Sequence, residues 1–442
     1  MEAKDLLVTP IILIVIFLLA YLIRSRVTDK ITRKYFISAL TVKILGAILV
    51  GVIYQFYYNG GDTYNYFTHG SRHIWEAFGD DPFKGLKLLF AGKEHYPDTF
   101  NYSSQIWYYG DLPSYFIVRI TAFFDLFTYH TYSATACLFA FFSFSGLWAL
   151  YTALYRLYPQ SHLELALAVL FVPSVFFWGS GIMKDTITLT ALSWATYAMV
   201  KIFIEKERYL LNILLLLFSF YLIFSIKLYI LLCFIPAVLI WVFLVELHHI
   251  RSKIVRGLVF PMVIGLVAIL SYGAIQGVAA DHDKYALDRI ASTAEVTARW
   301  HTFVNIKEGG SGYILGDFDY TTAGMIRKLP LAINVSLFRP YLWEVANPVM
   351  LLAAIESLAI LIFTLYVLVK YRWSVLNAMI TDPMIFFCML FALSMAYAVG
   401  FSTYNFGSLV RYKIAFIPFY LSALILINER CKIKKQAALE NS

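Results

Sequence analysis

Twelve hydrophobic segments punctuate the chain, near 10–24, 36–57, 113–128, 131–153, 162–179, 185–204, 209–225, 227–247, 255–278, 347–369, 383–400 and 411–429. Most approach the run of about 20 apolar residues that carries a helix across hydrocarbon. Two long polar stretches, 58–112 and 279–346, interrupt them. No repeat, low-complexity linker or soluble domain is visible, so the chain reads as one membrane domain, 1–442. The expected architecture is all-α, a polytopic transmembrane bundle of about 11–12 spans whose two large loops carry interfacial helices.

Basic residues orient the bundle. Arg24, Arg26, Lys30, Arg33 and Lys34 fill the first short connection. Arg251, Lys253 and Arg256 mark a second, Lys370 and Arg372 a third, and the tail from Arg430 to Lys435 a fourth. The positive-inside rule makes these cytoplasmic and turns both large loops outward. One conflict arises between loop 58–112 and Arg156, because two hydrophobic segments separate places that belong on opposite sides. The segment 113–128 carries Arg119 and Asp125, and each charge at a bilayer centre costs about 2.5–3.5 kcal/mol. That segment is expected to be re-entrant or interfacial, leaving eleven crossings.

Composition narrows the class further. Of 442 residues, 60% are hydrophobic and only 14% charged, against roughly a quarter charged in soluble domains. The net charge of +8 follows from the basic helix ends and does not point to nucleic acid. Cys137, Cys233, Cys388 and Cys431 have neither metal-ligand spacing nor an evident disulfide partner. The run from Pro10 to Ile23 lacks a small-residue cleavage pattern and reads as a retained first span.

Candidate chemistry begins at Asp62, in Gly60-Gly61-Asp62-Thr63-Tyr64-Asn65-Tyr66, where a span gives way to a polar, aromatic stretch. An acid between lipid and water can hold an unusual pKa and meet a substrate that is half lipid, half sugar. The two glycines leave it unshielded, although a plain helix-ending turn has the same sequence. Beyond it come Tyr64, Tyr66, His69, Arg72 and His73, and on a regular helix Tyr66, His69 and His73 share a face. An interfacial aromatic belt accounts for many of the tyrosines.

A second constellation runs from Pro173 to Asp185. Its proline frees a backbone carbonyl, Gly179-Ser180-Gly181 permits a reversal, and Lys184 and Asp185 open the next helix. Lys184 reads equally as a snorkelling side chain and as an anion binder, and Asp185 also suits a positive helix N-terminus. Third come Lys227, Arg339, Arg411 and Lys413, with Glu344 and Asn405 beside them, at helix ends on the same expected side. Convergent cations there are what a lipid-linked phosphate requires. Glu356 lies inside a span and is either functional or paired with a neighbouring helix's lysine.

The second loop holds Asp317-Phe318-Asp319 after Gly309-Gly310-Ser311-Gly312, and an amphipathic helix is expected over 284–304. Two acids supply too few ligands to assign a metal, and the glycines lack the Lys-Ser/Thr of a phosphate loop. No cofactor is assigned.

An acid in the first outer loop, a Pro-Ser…Trp…Lys-Asp turn and a basic, aromatic outer face resemble GT-C superfamily membrane glycosyltransferases. The run Tyr109 to Tyr115, Tyr-Gly-Asp-Leu-Pro-Ser-Tyr, is similar to the segment that follows the loop in many members. The chain departs in carrying two spans, 10–24 and 36–57, before or around the loop, where one is usual. The resemblance implies a polyprenyl-phosphate-linked sugar as donor and a glycan, lipid or protein as acceptor. It implies Asp62 as general base, and the implied mechanism has Lys184, Lys227, Arg339 and Arg411 stabilise the departing phosphate; Tyr64, Tyr66, His69, Arg72, Asp185, Glu344 and Asn405 complete the expected substrate-binding residues. A bacterial inner membrane with the site facing outward is the expected setting. Gly-Asp-Thr-Tyr-Asn-Tyr and Arg-Tyr-Lys before Pro418 are also compatible with O-antigen or exopolysaccharide polymerases. A lipid-linked glycan flippase is the third reading, with Glu356, Lys227 and Arg119 along a polar path, but no inverted repeat supports it.

Overall fold

A computed structural model describes residues 2–247 and 311–440, apart from 317, 318 and 320, with isolated positions between 262 and 303. The expected span 255–278, Asp317 and nearly all of the helix expected over 284–304 lie outside the described residues. Among those described the chain is helical, with one isolated bridge between Gly312 and Asn405. Among the described residues eight helices are long and apolar enough to cross a membrane, and a ninth span arises if a pair bent by 58° is counted as one. The protein is a multi-pass integral membrane protein. Its contacts divide it into two compact units, Met1–Leu228 and Tyr229–Ser442, where the sequence reads as one domain. Both sides of the boundary are apolar helix, so composition gives no sign of it; only Lys227 interrupts the run.

Unit 1 contains α1 (Asp5–Val27), α2 (Arg33–Phe56), α3 (Asp62–Tyr66), α4 (Arg72–Asp80), α5 (Pro82–Phe90), α6 (Phe100–Ser103), α7 (Leu112–Thr128), α8 (Tyr132–Leu157), α9 (His162–Leu170), α10 (Pro173–Trp178), α11 (Lys184–Val200) and α12 (Tyr209–Ile226). Its long helices join two ends, α1, α8 and α11 running one way and α2 and α12 the other. At the basic end the Trp148 indole donates to Val27 O (3.2 Å), Tyr155 Oη to Asp29 (2.7 Å) and Arg156 to Glu205 (3.0 Å). At the loop end Asp5 accepts from the Ser133 amide (2.9 Å), and Thr63 bonds Tyr132 Oη (2.7 Å).

Helix α7 does not join these ends. Near its start Tyr115 Oη donates to Leu88 O (2.6 Å) and Arg119 to Ala91 O (3.3 Å). Near its finish Asp125 accepts from Ser71 (2.7 Å) and Thr135 (2.8 Å) and pairs with His130 (2.8 Å). Both ends of α7 therefore belong to the loop end, and α8 alone reaches Arg156. Of the two charges that count against crossing, Asp125 is held by Ser71, His130 and Thr135, and Arg119 reaches the loop carbonyl of Ala91 through Nη1.

The expected span 162–179 is broken. Helix α9 stops at Leu170, Pro173 starts α10, and the carbonyls freed at the end of α10 need donors. Fully buried Lys43 of α2 supplies them, bonding Val175 O (3.2 Å) and Gly179 O, with Ser143 Oγ also on Gly179 O (2.8 Å). Gly46 makes this approach possible, since a Cβ there would stand 2.2 Å from Phe176 O. A lone lysine within an apolar span is the signal that sequence reading passed over.

Unit 2 contains α13 (Leu228–Leu247), α14 (Thr322–Arg327), α15 (Leu329–Phe338), α16 (Pro348–Tyr371), α17 (Ser374–Thr381), α18 (Pro383–Ser402), α19 (Phe406–Tyr412) and α20 (Ile417–Glu440). Aromatic rings fill its centre: Phe391 lies 4.9 Å from Phe419 and 5.4 Å from Phe234, edge to face. Helices α19 and α20 meet at the bend that the single expected span 411–429 had concealed.

Candidate functional site

The loop end of unit 1 is organised around the first turn of α8. Tyr132 stacks on Tyr64 at 4.3 Å and bonds Thr63, Ser133 holds Asp5, and Thr135 holds Asp125. Three separate segments are thereby tied to four consecutive residues, which fixes α3 against the bundle. Tyr64 also donates to Gln55 (3.0 Å), and burial pushes its phenol well above the ordinary tyrosine value.

Asp62 opens α3 directly after the turn at the end of α2. Asn59, Gly60 and Gly61 have φ of 55°, 125° and 121°, the last two in a region that only glycine occupies at low cost. The Gly60 amide returns to Tyr54 O (2.8 Å), and the amides of Tyr64 and Asn65 both reach Gly61 O. The glycine pair is thus required by the reversal, and the reversal places a half-buried carboxylate at the mouth of the unit.

Lys184, the first residue of α11, faces the same region. Its ammonium lies 3.4 Å from Asp111 and within electrostatic reach of Lys227 and Asp62. Asp111 is absent from the residues expected at the site, although it stands in the Tyr109–Tyr115 run. Its side chain is 52% exposed, so the Asp111–Lys184 pair is a weak one that an incoming anion can replace. Asp185 is different: it is buried and paired with Lys227, itself nearly buried. Lys227, expected to face a phosphate, has a carboxylate beside it in Asp185.

The aromatic stretch after Asp62 departs from a regular helix. Residues Phe67–Ser71 form a π-turn, so the three- and four-residue spacing no longer keeps one face. Tyr66 is buried with its ring 5.2 Å from Tyr108, and His69 stacks on Trp107 at 3.9 Å. His73 and Arg72 turn instead to Glu76, at 3.2 and 2.9 Å. Arg72, expected among the substrate-binding residues, is half of an exposed pair. Asp125, with His130, Ser71 and Thr135, is the buried polar network that the sequence did not reveal; Phe67 stacks on His130 at 4.0 Å.

The remaining expected residues belong to unit 2. Arg339 is paired twice with Glu344 through Nε, at 3.0 Å, and again through Nη2. Its guanidinium also stands 5.2 Å from the Phe406 ring and 5.7 Å from Tyr313. Asn405, expected to bind substrate, is an N-cap, accepting from the Ser408 amide at 3.1 Å. Arg411 is half-buried on α19. Fully buried Lys413 donates to Ser357 Oγ (2.7 Å) and lies within electrostatic reach of Glu356.

Burial alone would raise the carboxyl of Glu344, but hydrogen bonds from Arg339 and the Tyr341 amide outweigh it and hold the group below its ordinary value. A depressed folded-state value adds stability that is complete above the unfolded pKa and lost as pH falls through the folded one. The melting difference between wild type and Glu344→Gln is thus expected to be constant above about pH 5 and to shrink below about pH 4. Thermal scans of both proteins across that range check it.

No protein-family model, curated protein or solved structure matches the chain.

Proposed function

We propose that this protein is a membrane glycosyltransferase that moves a sugar from a polyprenyl-phosphate-linked donor to an acceptor at the outer membrane face. The observation that supports the reading is that Asp62 and Lys184, from elements far apart in sequence, lie within electrostatic reach of each other where apolar helices end in an aromatic loop, with Lys184 3.4 Å from Asp111. A carboxylate and an ammonium at that boundary suit a donor whose tail belongs in lipid and whose sugar belongs in water.

In the proposed step the acceptor hydroxyl oxygen attacks the anomeric carbon and Asp62 takes the hydroxyl proton. The bond between that carbon and the phosphate oxygen breaks, and the electron pair leaves on the phosphate. Lys184 faces the charge that develops there, having exchanged Asp111 for the donor. Half-buried Tyr64 and His69 present polar edges along the sugar's approach, and buried Tyr66 packs against Tyr108. Lys227 acts through Asp185 and holds the start of α11 in place. Arg339 and Arg411 enter no step.

Purified protein in nanodiscs, given a polyprenyl-phosphate-linked sugar and an acceptor glycan, is expected to form one new glycosidic bond per acceptor. Lys184→Gln is expected to slow the reaction about 10²-fold, as loss of one charge-stabilising donor does elsewhere. A ladder of repeat units identifies a polymerase instead. Movement of the lipid-linked sugar across vesicles without a new bond identifies a flippase.

A further inference from the structure

At the basic end of unit 1, opposite Asp62 along α8, the helices enclose a cavity of about 730 Å³ between α1, α2, α8, α11 and α12. Its walls are graded. On α8 the lining positions include Phe141, Phe144, Trp148, Thr152 and Arg156, three or four residues apart and hence on one face. On α11 Trp194 and Tyr197 lead to Lys201, and on α1 Ile23 leads to Arg26. On α12, which runs the other way, Arg208 comes before Leu211 and Leu215. Four helices therefore agree: aromatic and aliphatic groups line the interior, and charge lines the end. From Phe141 to Arg156 the rise is about 22 Å at 1.5 Å per residue.

The charged end holds Arg26, Arg156, Lys201 and Arg208 against one lining acid, Glu207. Glu205 lies beside them, paired with Arg156 at 3.0 Å and with Lys201, which also reaches Glu207 at 3.0 Å. Counting both acids, the end keeps a net positive charge. With Arg156 and Lys201 engaged by carboxylates, exposed Arg26 and Arg208 are the cations placed to meet a ligand.

We propose that this cavity binds an anionic phospholipid, its phosphate between Arg26 and Arg208 and one acyl chain along Phe144, Trp148 and Leu215. The polarity gradient selects that occupant. A free anion would use the charged end and leave a tall aromatic slot open, whereas an uncharged amphiphile would leave the arginines unmatched. Basic pockets between membrane helices recognise anionic headgroups on the same grounds. The site is independent of the transferase reading, since it stands at the other end of the unit and uses none of those residues.

Delipidated protein titrated with phosphatidylglycerol and followed by native mass spectrometry tests the proposal. Wild type is expected to hold phosphatidylglycerol about tenfold more tightly than phosphatidylcholine, and Arg26→Ala/Arg208→Ala to lose that preference. Thr152→Trp, which fills the cavity and keeps every charge, is expected to lower phosphatidylglycerol occupancy as well. Equal affinity for the two lipids, or unchanged binding in both variants, overturns the proposal. Full displacement by millimolar inorganic phosphate also overturns it, because the site would then be one for free anions.

Discussion

Asp62→Asn is expected to lower sugar transfer by about 10²–10⁴-fold, the share that a positioned general base contributes. The substitution keeps size and shape and removes the ability to accept the acceptor's proton. Little else should change, because α3 is held by its neighbours: Thr63 bonds Tyr132, and the Tyr64 ring lies on Tyr132. Asp111→Asn is the matched control. That side chain is 52% exposed, and its link to Lys184 is one the donor phosphate displaces, so the expected loss is under about tenfold. The nanodisc transfer assay, with expression and melting temperature recorded for each variant, separates the two acids. Full activity in Asp62→Asn would remove the base from the mechanism, and equal loss in both variants would show that charge near Lys184 matters more than proton removal.

The second large effect concerns the buried pair Asp185–Lys227, whose side chains are 4% and 10% exposed. Asp185→Asn takes the paired carboxylate away from a nearly buried ammonium, a change that costs about 3–5 kcal/mol when one partner of a buried pair is removed. For a unit of this size that corresponds to a fall of roughly 6–12 °C in apparent melting temperature. Removing both charges, in Asp185→Leu/Lys227→Met, is expected to recover most of the loss, since apolar replacement of a whole pair is often close to neutral. Melting in detergent distinguishes the cases. If Asp185→Asn melts with wild type and loses transfer instead, Lys227 belongs to the substrate and not to the scaffold.

Arg339 teaches the same lesson as Lys227. In the chain both look like cations awaiting a phosphate, yet each has a carboxylate partner, Glu344 and Asp185. The Glu344 partner is five residues away and legible in principle as a local pair; Asp185 is 42 residues from Lys227 and is not. Arg119 and Asp125 mislead in the opposite sense. Their charge rightly argues against crossing, but where they go depends on Ala91, Ser71 and Thr135, which no local pattern connects to them.

Hydropathy sufficed for the all-helical class, for most of the spans and for the loop that begins after α2, because burying backbone in lipid leaves the helix as nearly the only solution. Gly60-Gly61-Asp62 announced its turn in the same way, since positive φ at consecutive positions is affordable to glycine. Which charges face each other was settled only by packing. A side chain's role in a low-dielectric interior depends on what stands within a few ångströms, and those neighbours arrive from helices dozens of residues away. The break between α9 and α10, sealed by Lys43, the division into two units and the graded cavity at the basic end all belong to that second kind of information.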